Sequence, residues 1–463
     1  MNLCRIVFSI VYLFLAVALF SQCEKFLVND IIISGNNKTK SEIIFREAPF
    51  NSDSYISDFE IDEFKSNLQR TGLFNFVFID TVINRDCSIV IKVQLIERWY
   101  YWVYPIFEHA DRNFPAFLKN QDWNKINYGI SVELKNLSGN NDLLKLKLRF
   151  GFKEHFSVAY SSKEFFDNKV FSVKSGTDFF RQKRFEQKIF SNLPVFISSD
   201  TDYIKTSLEP YLLLTYRPAF SGQAALGIKY RRLFSPVNVF YNDTTIIFPI
   251  ISEYLIFRIN QSFDNRDNKT YPQKGLLIEN SLNLNKALND KTSTFIEYFG
   301  NFQVNYPISQ RFYYKTEFAA SFLFMQKNQN LSYQNIIEFN RNFWIRGLEV
   351  YYFDSFSNLK LQNTVSFLLS RFRIHNIPLF LPESFSKTYS RIYLDGFFDM
   401  GYAYGSNYRD INFLQEKLLI SVGIGISFET YYDRLLQFYA AYVQNINKTS
   451  IFVNYKTPIY KVF

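Results

Sequence analysis

The sequence predicts a mainly β protein, an N-terminal α+β module followed by a transmembrane antiparallel β-barrel of about 16 strands. Three observations predict it. Of 463 residues, 47% are hydrophobic and 19% aromatic, yet the mean hydropathy is only -0.12. Apolar residues must therefore be interleaved with polar ones, which excludes a bundle of membrane helices. The residue pattern also changes once, near Arg98, from mixed helix and strand to a period of two. Finally, Tyr and Phe crowd the ends of the alternating segments, as in the aromatic girdles of a barrel with lipid outside and water inside.

The chain opens on the one continuously apolar segment, Ile6 to Phe20, preceded by Arg5 and followed by Ser21 and Gln22. It is shorter than the roughly 20 residues that a spanning helix needs, so residues 1–22 read as a secretory signal peptide rather than an anchor. Phe20, Ser21 and Gln22 lack the small residue that normally precedes a lipid-modified cysteine, so Cys23 is not expected to carry lipid. Cys23 and Cys87 are too few and too far apart to suggest a disulfide framework or a thiolate metal site. A net charge of +9 could point to an anionic partner. However, no cluster of five or more Lys/Arg occurs, and an exported chain rarely meets nucleic acid, so no nucleic-acid partner is expected.

Residues 23–98 alternate strand and helix. "KFLVNDIIISGNN" reads as a strand, "KSEIIFREA" as a short helix, and "SDFEIDEFKSNLQRTGLF" as a longer one with Phe59, Phe64, Leu68 and Leu73 at helical spacing. Ser57 and Asp58 can cap its start and Gly72 suits its end. "FNFVFIDTVI" and "SIVIKVQLIE" follow as strands around the turn "NRDC". The order is β-α-α-β-β.

From residue 99 to 463 the rule is set by "DLLKLKLRFGF". Leu144, Leu146, Leu148 and Phe150 lie on one side of a strand, and Lys145, Lys147 and Arg149 on the other. The alternation repeats to the end of the chain, with length for on the order of sixteen strands of roughly 10 residues plus connections. Only a closed sheet satisfies every backbone group in hydrocarbon. A soluble all-β assembly with one wet face is the alternative, unusual at this length as a single domain.

Four stretches resemble the outer-membrane assembly factors of the BamA and TamA type, which join POTRA modules to a sixteen-stranded barrel. The first is the junction "VQLIERWYYWVYPIFEHADRNF". The second, "DNRDNKTYPQKG", is similar to a family turn and carries Asp264, Arg266, Asp267, Pro272 and Gly275. The third, "WIRGL", with Ile345, Arg346 and Gly347, resembles the arginine-glycine motif of a loop that folds back into the barrel lumen. The fourth, "GFFDMGYAYG", with Phe397, Asp399 and Gly401, resembles the strand that carries the arginine's acidic partner.

The resemblance implies that residues 23–98 are a single periplasmic POTRA domain. It also implies that Arg346 pairs with Asp399 while lying on Phe397. A guanidinium in a lumen of low effective dielectric needs a carboxylate, and its planar fork can take one in two places. Gly347 permits the tight backbone. Without the resemblance, Arg346 could also be a solvated hairpin residue. Two features depart from the family pattern: "NRNFW" replaces the glycines that often precede the arginine, and Leu348 stands where an aromatic is common.

With room for one POTRA domain, the chain resembles an accessory member. Phe463 suits a barrel terminus, and Pro458 interrupts the closing segment, where proline cannot donate to a ladder.

The function implied is assistance to other β-barrel proteins entering the outer membrane, without catalysis, cofactor or metal. The implied partners are outer-membrane lipids, unfolded β-barrel clients, and periplasmic chaperones or accessory lipoproteins. A translocation pore or passive channel is the alternative. An enzyme is disfavoured, because His109, His155 and His375 sit in no metalloprotease helix and near no nucleophile elbow.

Overall fold

The computed structural model describes residues 25–84, 86–109, 126–162, 170–199, 202–218, 221–241, 244–289, 293–325, 333–340, 343–373, 389–405, 411–430 and 434–456. The signal segment, Cys4, Cys23, His375, Pro458 and Phe463 lie outside them. Two compact units divide at Arg98, Met1–Arg98 and Trp99–Phe463.

The first unit runs β1 (Phe26–Ser34), α1 (Ser41–Arg46), β2 (Tyr55–Ile56), α2 (Asp58–Arg70), β3 (Phe74–Ile83) and β4 (Ser88–Glu97). The short β2 adds a strand to the β-α-α-β-β expectation. The sheet order is β2-β1-β4-β3, with β1 and β4 parallel. A parallel pair needs a long crossover, and both helices lie in it. Ile43 and Ile44 of α1 and Phe64 and Leu68 of α2 are buried with Val28, Ile89, Ile91 and Val93.

At the start of α2 the Glu60 carboxylate accepts hydrogen bonds from Ser57 N (2.8 Å) and Ser57 Oγ (3.1 Å), so the cap is built on Ser57. Glu97 accepts from Lys38 N at 3.1 Å and from Thr39 N at 2.7 Å, tying the end of β4 to the turn after β1. Gly35 in that turn has φ +83°, and a Cβ there would lie 2.0 Å from the Leu95 carbonyl oxygen.

Two expectations fail here. Phe59 is 75% exposed, because five residues at about 100° each carry it off the stripe shared by Phe64 and Leu68. Leu73 is buried, but beyond the end of the helix at Arg70. Cys87 is disulfide-bonded, against the expectation from cysteine number and spacing. Its partner lies outside the described residues. Long chain separation does not prevent a disulfide once folding brings the two Cβ atoms close.

The second unit begins with β5 (Tyr101–His109), β6 (Ile126–Lys135), β7 (Leu143–Gly151), β8 (Lys153–Ser162) and β9 (Phe171–Gln182). A hairpin, β10 (Arg184–Phe190) and β11 (Leu193–Ser198), then leaves the sheet. Next come β12 (Lys205–Tyr216), β13 (Gly222–Tyr241), β14 (Thr244–Asp264), β15 (Gly275–Ala287), β16 (Phe295–Pro307) and β17 (Phe312–Met325). Helix α3 (Tyr333–Asn340) precedes β18 (Ser357–Arg373), β19 (Tyr389–Tyr404), β20 (Leu419–Thr430), β21 (Arg434–Val443) and β22 (Lys448–Lys456).

These form one 16-stranded sheet in chain order from β5 to β22, with β9 beside β12. Each neighbour pair is antiparallel. Among the described residues no ladder joins β5 to β22. The sheet nevertheless curls until its ends meet, because the Arg434 guanidinium of β21 lies 4.6 Å from the ring centroid of Trp102 on β5 and donates to the Tyr104 hydroxyl at 3.3 Å. The result is a barrel.

Its two faces follow the alternation. Leu146, Leu148 and Phe150 are exposed on the outside, as are Leu226, Ile228, Phe257 and Ile259 farther round. Such a continuous apolar belt belongs against lipid. Lys145 faces the interior, where it meets Glu133 of β6 at 2.8 Å. We predict that Leu148→Arg lowers barrel stability by about 2–4 kcal/mol if it lies near the bilayer midplane. Lys147→Leu, on the inner face, should not reproduce that loss. Urea unfolding of the protein reconstituted in bilayers, followed by heat-modifiable gel mobility, distinguishes the two.

Candidate functional site

The segment between β17 and β18 enters the barrel interior. Its backbone turns tightly, with Leu348 N donating to the Ile345 carbonyl and Tyr351 N to that of Leu348, both at 2.9 Å. Gly347 sits at φ +95°, and a Cβ on it would come within 2.5 Å of Val443 Cγ2 and 3.0 Å of Ala441 Cβ on β21. Both conformation and space therefore require glycine. Phe343, Ile345, Leu348 and Phe353 pack with Ala403, Leu414, Leu419 and Val443. Leu348 thus fills a buried apolar site with an aliphatic side chain. Gly401 makes room for the loop, since a Cβ there would overlap Ile345 Cδ1.

Arg346 lies at the tip. Its Nε donates to Asp399 Oδ2 at 2.7 Å, and its Nη2 donates to the other carboxylate oxygen. Nη1 reaches Thr364 Oγ1 at 3.0 Å, Nη2 the Asn363 carbonyl at 3.1 Å, and the guanidinium carbon lies 4.0 Å from the Phe397 ring centroid. Asp399 is fully buried and also accepts from Gln362 Nε2 at 2.9 Å. Both charges are paired and hydrogen-bonded, the condition under which burial is tolerated.

The resemblance did not single out a second anchor. In α3, Glu338 lies 2.9 Å from Arg231 Nη1 of β13 and 3.6 Å from Lys205 Nζ of β12. Arg231 Nε in turn meets Glu209 at 3.3 Å, and Glu209 pairs with Lys229. Asn340, at the end of α3, donates to the Ser355 carbonyl at 2.8 Å and accepts from Asn358 Nδ2 at 2.8 Å. Residues 338 and 346 therefore bind wall strands well separated in the sheet.

The wall itself is electrically divided. Inward positions of β6 to β14 are rich in bases, among them Lys145, Lys147, Arg149, Lys174, Lys229, Arg231 and Arg258. Those of β15 to β20 are rich in acids, among them Glu279, Glu297, Glu317, Asp395, Asp399 and Glu429. The loop sends its glutamate to the basic half and its arginine to the acidic half.

At the other end of the barrel, the turn 265–274 also crosses the interior. Arg266 pairs with Asp264, with Nε to Oδ1 at 2.8 Å and Nη2 to Oδ2 at 2.9 Å. Asp267 accepts from the backbone of Gln273 at 2.9 Å and Lys274 at 3.2 Å. Gly275 has φ +110°, and a Cβ there would lie 2.7 Å from Arg266 Cα. Pro272 precedes these residues in the turn. The tip reaches distant strands. Tyr271 donates to Asp395 at 2.6 Å and stacks on Tyr393 at 4.3 Å, while Asn268 donates to Glu429 at 2.9 Å.

The motif residues thus fall into two clusters, carried by loops that enter from opposite ends of one interior and reach Asp399 and Asp395 on the same strand, β19. Glu338, Glu349 (which accepts from Gly347 N at 2.8 Å and from the Tyr439 hydroxyl) and Tyr271 complete them. Their signal in sequence is weak, a charge or tyrosine inside a loop with no spacing to a partner. The junction stretch is split between the units: its Glu97 stays with the first and its Trp102 meets Arg434. Its last residues, 110–114, lie outside the described set. Of the histidines, His155 Nε2 lies 2.9 Å from Asp178 Oδ1.

Arg346→Ala or Asp399→Ala leaves one buried charge without its partner and should each cost about 3–5 kcal/mol. The double change to apolar residues should cost less than the sum of the singles. A double-mutant cycle on unfolding in detergent measures that coupling. Glu338→Gln should be milder, about 1–3 kcal/mol.

The family described as POTRA, surface antigen variable number repeat, matches residues 26–94. No curated protein matches the chain. Among solved structures, BamA from Haemophilus ducreyi lacking POTRA domains 1-3 is similar at 13% identity and a TM-score of 0.52, over 93% of this chain and 84% of that one. CdiB from Escherichia coli is similar at 11% identity and a TM-score of 0.57, over 93% and 76%. CdiB from Acinetobacter baumannii is similar at 12% identity and a TM-score of 0.50, over 93% and 73%. The chain thus carries a POTRA match over residues 26–94 and, beyond Arg98, a 16-stranded antiparallel sheet, and its fold is that of the BamA and CdiB structures.

Proposed function

We propose that this protein assists the insertion of β-barrel clients into the outer membrane, with residues 23–98 as a periplasmic POTRA domain and residues 99–463 as the lipid-embedded barrel. The observation that carries this reading is the seam. Strands β5 and β22 end the sheet without a mutual ladder among the described residues, and side chains of β21 and β5 hold the ends together. An edge strand presents unused backbone donors and acceptors, and a client strand can add to it by β-augmentation. No cofactor or catalytic group takes part in such a step.

The loop supports the reading because of where it packs. Arg346 lies on Phe397, which meets Tyr439 edge-on at 5.8 Å, and Tyr439 stacks on Phe452 of β22 at 5.7 Å. A row of rings therefore runs from the arginine's seat to the closing strand. Displacing the loop would loosen the strand that a client must replace or pair with.

Depletion of the protein should lower the levels of several outer-membrane barrels in a quantitative membrane census. Complementation by Arg346→Ala or Asp399→Ala should restore them less well than the wild type does. Unchanged barrel levels on depletion would rule this reading out. A translocation pore is the second reading, favoured by a cavity of about 670 Å³ in the barrel interior. It requires a salt-dependent conductance that survives removal of residues 26–97.

A further inference from the structure

The hairpin that leaves the sheet ends on a buried asparagine. Phe190 of β10 pairs with Leu193 of β11, and the two residues between them, Ser191 and Asn192, have φ 51° and 57°. Both are left-handed, as in the tight two-residue turns of hairpins, and asparagine adopts that conformation more readily than most residues. Hairpin tips ordinarily lie in solvent. Asn192 is instead 0% exposed, although Phe190 and Leu193 on either side of the turn are exposed. All four of its polar groups are bonded. Its backbone N donates to Asn412 Oδ1 at 2.9 Å and its Nδ2 to the Tyr352 carbonyl at 3.1 Å. Its Oδ1 accepts from Leu414 N at 2.8 Å, and its carbonyl accepts from Tyr352 N at 2.8 Å. Behind it, Asn412 Nδ2 and Gln415 Nε2 both donate to Asp354 Oδ1, at 3.2 and 2.6 Å. One side chain thus joins the hairpin, the loop that carries Arg346, and the connection 405–418 between β19 and β20.

These three segments leave one rim of the barrel at distant points. Counted from β5, the hairpin follows the fifth strand of the sheet, the Arg346 loop the eleventh and the 405–418 connection the thirteenth. In an antiparallel sheet, odd-numbered strands all end on the same rim. The fifth and thirteenth of sixteen strands lie on opposite sides of the cylinder. Sixteen strands spaced about 4.8 Å apart enclose a mouth about 25 Å across before tilt, and a strand advances about 3.4 Å per residue. The seven residues of β10 therefore reach nearly across it. On the way β10 runs beside α3, which lines the interior cavity through Asn335, Glu338 and Phe339.

We propose that β10–β11 is a strap across this mouth of the barrel, latched on the far side by Asn192, and that solutes reach the cavity beside α3 from that rim only when the latch opens. The closed state is held by hydrogen bonds shielded from water, so each one removed leaves a buried partner unsatisfied. The strap stands apart from the insertion reading, because it governs what enters the lumen and not what adds to the seam.

The test follows alkylation of Ser321→Cys, a position on the cavity wall, by a bulky water-soluble maleimide. It uses the full chain in detergent, with the peptide that contains position 321 quantified by mass spectrometry. When reclosing is faster than modification, the labelling rate is proportional to the open fraction. Asn192→Gly keeps the left-handed backbone accessible and removes two of the four hydrogen bonds, and should raise that rate roughly tenfold or more. Asn412→Ala, which cuts the latch from the opposite side of the mouth, should raise it as well. Ser191→Gly adds the same backbone freedom one residue away and should leave the rate unchanged. Equal rates with and without Asn192→Gly, no rise in Asn412→Ala, or a rise in Ser191→Gly as large as that in Asn192→Gly, overturns the proposal.

Discussion

One buried ion pair organises the barrel interior. Arg346 and Asp399 are held inside a cylinder whose outer belt is apolar, where a lone charge of either sign would be costly. Their pairing is acceptable only in one geometry, with the carboxylate taking two nitrogens of the fork and the ring of Phe397 beneath. That geometry demands a loop able to bring an arginine to the wall, and hence Gly347 where a side chain would strike β21. It also demands Gly401, whose missing Cβ admits Ile345. The glycines and the charges form one constraint.

The same logic extends across the lumen. A barrel with a basic and an acidic half carries an internal field, and a segment with opposite charges near its two ends aligns with it. Glu338 and Arg346 are placed in that sense, each against the half of opposite sign. Apolar packing of Phe343, Ile345, Leu348 and Phe353 adds a non-directional contribution, while the ion pairs select the orientation. At the other end, Tyr271 and Asn268 fasten the β14–β15 turn to Asp395 and Glu429, so the acidic half is bridged from both ends.

The seam contrasts with this interior. Among the described residues, every other pair of neighbouring strands is stitched by a ladder, whereas β5 and the β21–β22 hairpin meet through the rings of Trp102 and Tyr104 and the guanidinium of Arg434. A cation over aromatic faces contributes roughly 0.5–2 kcal/mol, far less than a full ladder of backbone hydrogen bonds. Among the described residues, closure at this line is thus weaker than the pairing elsewhere round the sheet.

The class of fold was legible because its cause is local. Alternation in "DLLKLKLRFGF" follows from the two-residue period of a strand, and a wall with lipid outside needs that pattern in every strand. Elements whose cause is local and periodic, such as α2 with Phe64 and Leu68, were legible in the same way. Phe59 was misplaced because a list of apolar residues says less than their angle round the helix. The hairpin β10–β11 and the bond at Cys87 have causes that lie in contacts distant along the chain, and helix α3, at 8 residues, is too short for its period to stand out.

What the sequence determined alone was the two-residue alternation of the barrel strands, the side of each that is apolar, and the presence of glycine beside the arginine in the long loop. What only the tertiary structure decided was which charges meet. Arg346 and Asp399 are 53 positions apart, and Tyr271 and Asp395 are 124 apart. Such distances are set by the curvature and register of a sixteen-strand sheet, and no spacing along the chain encodes them.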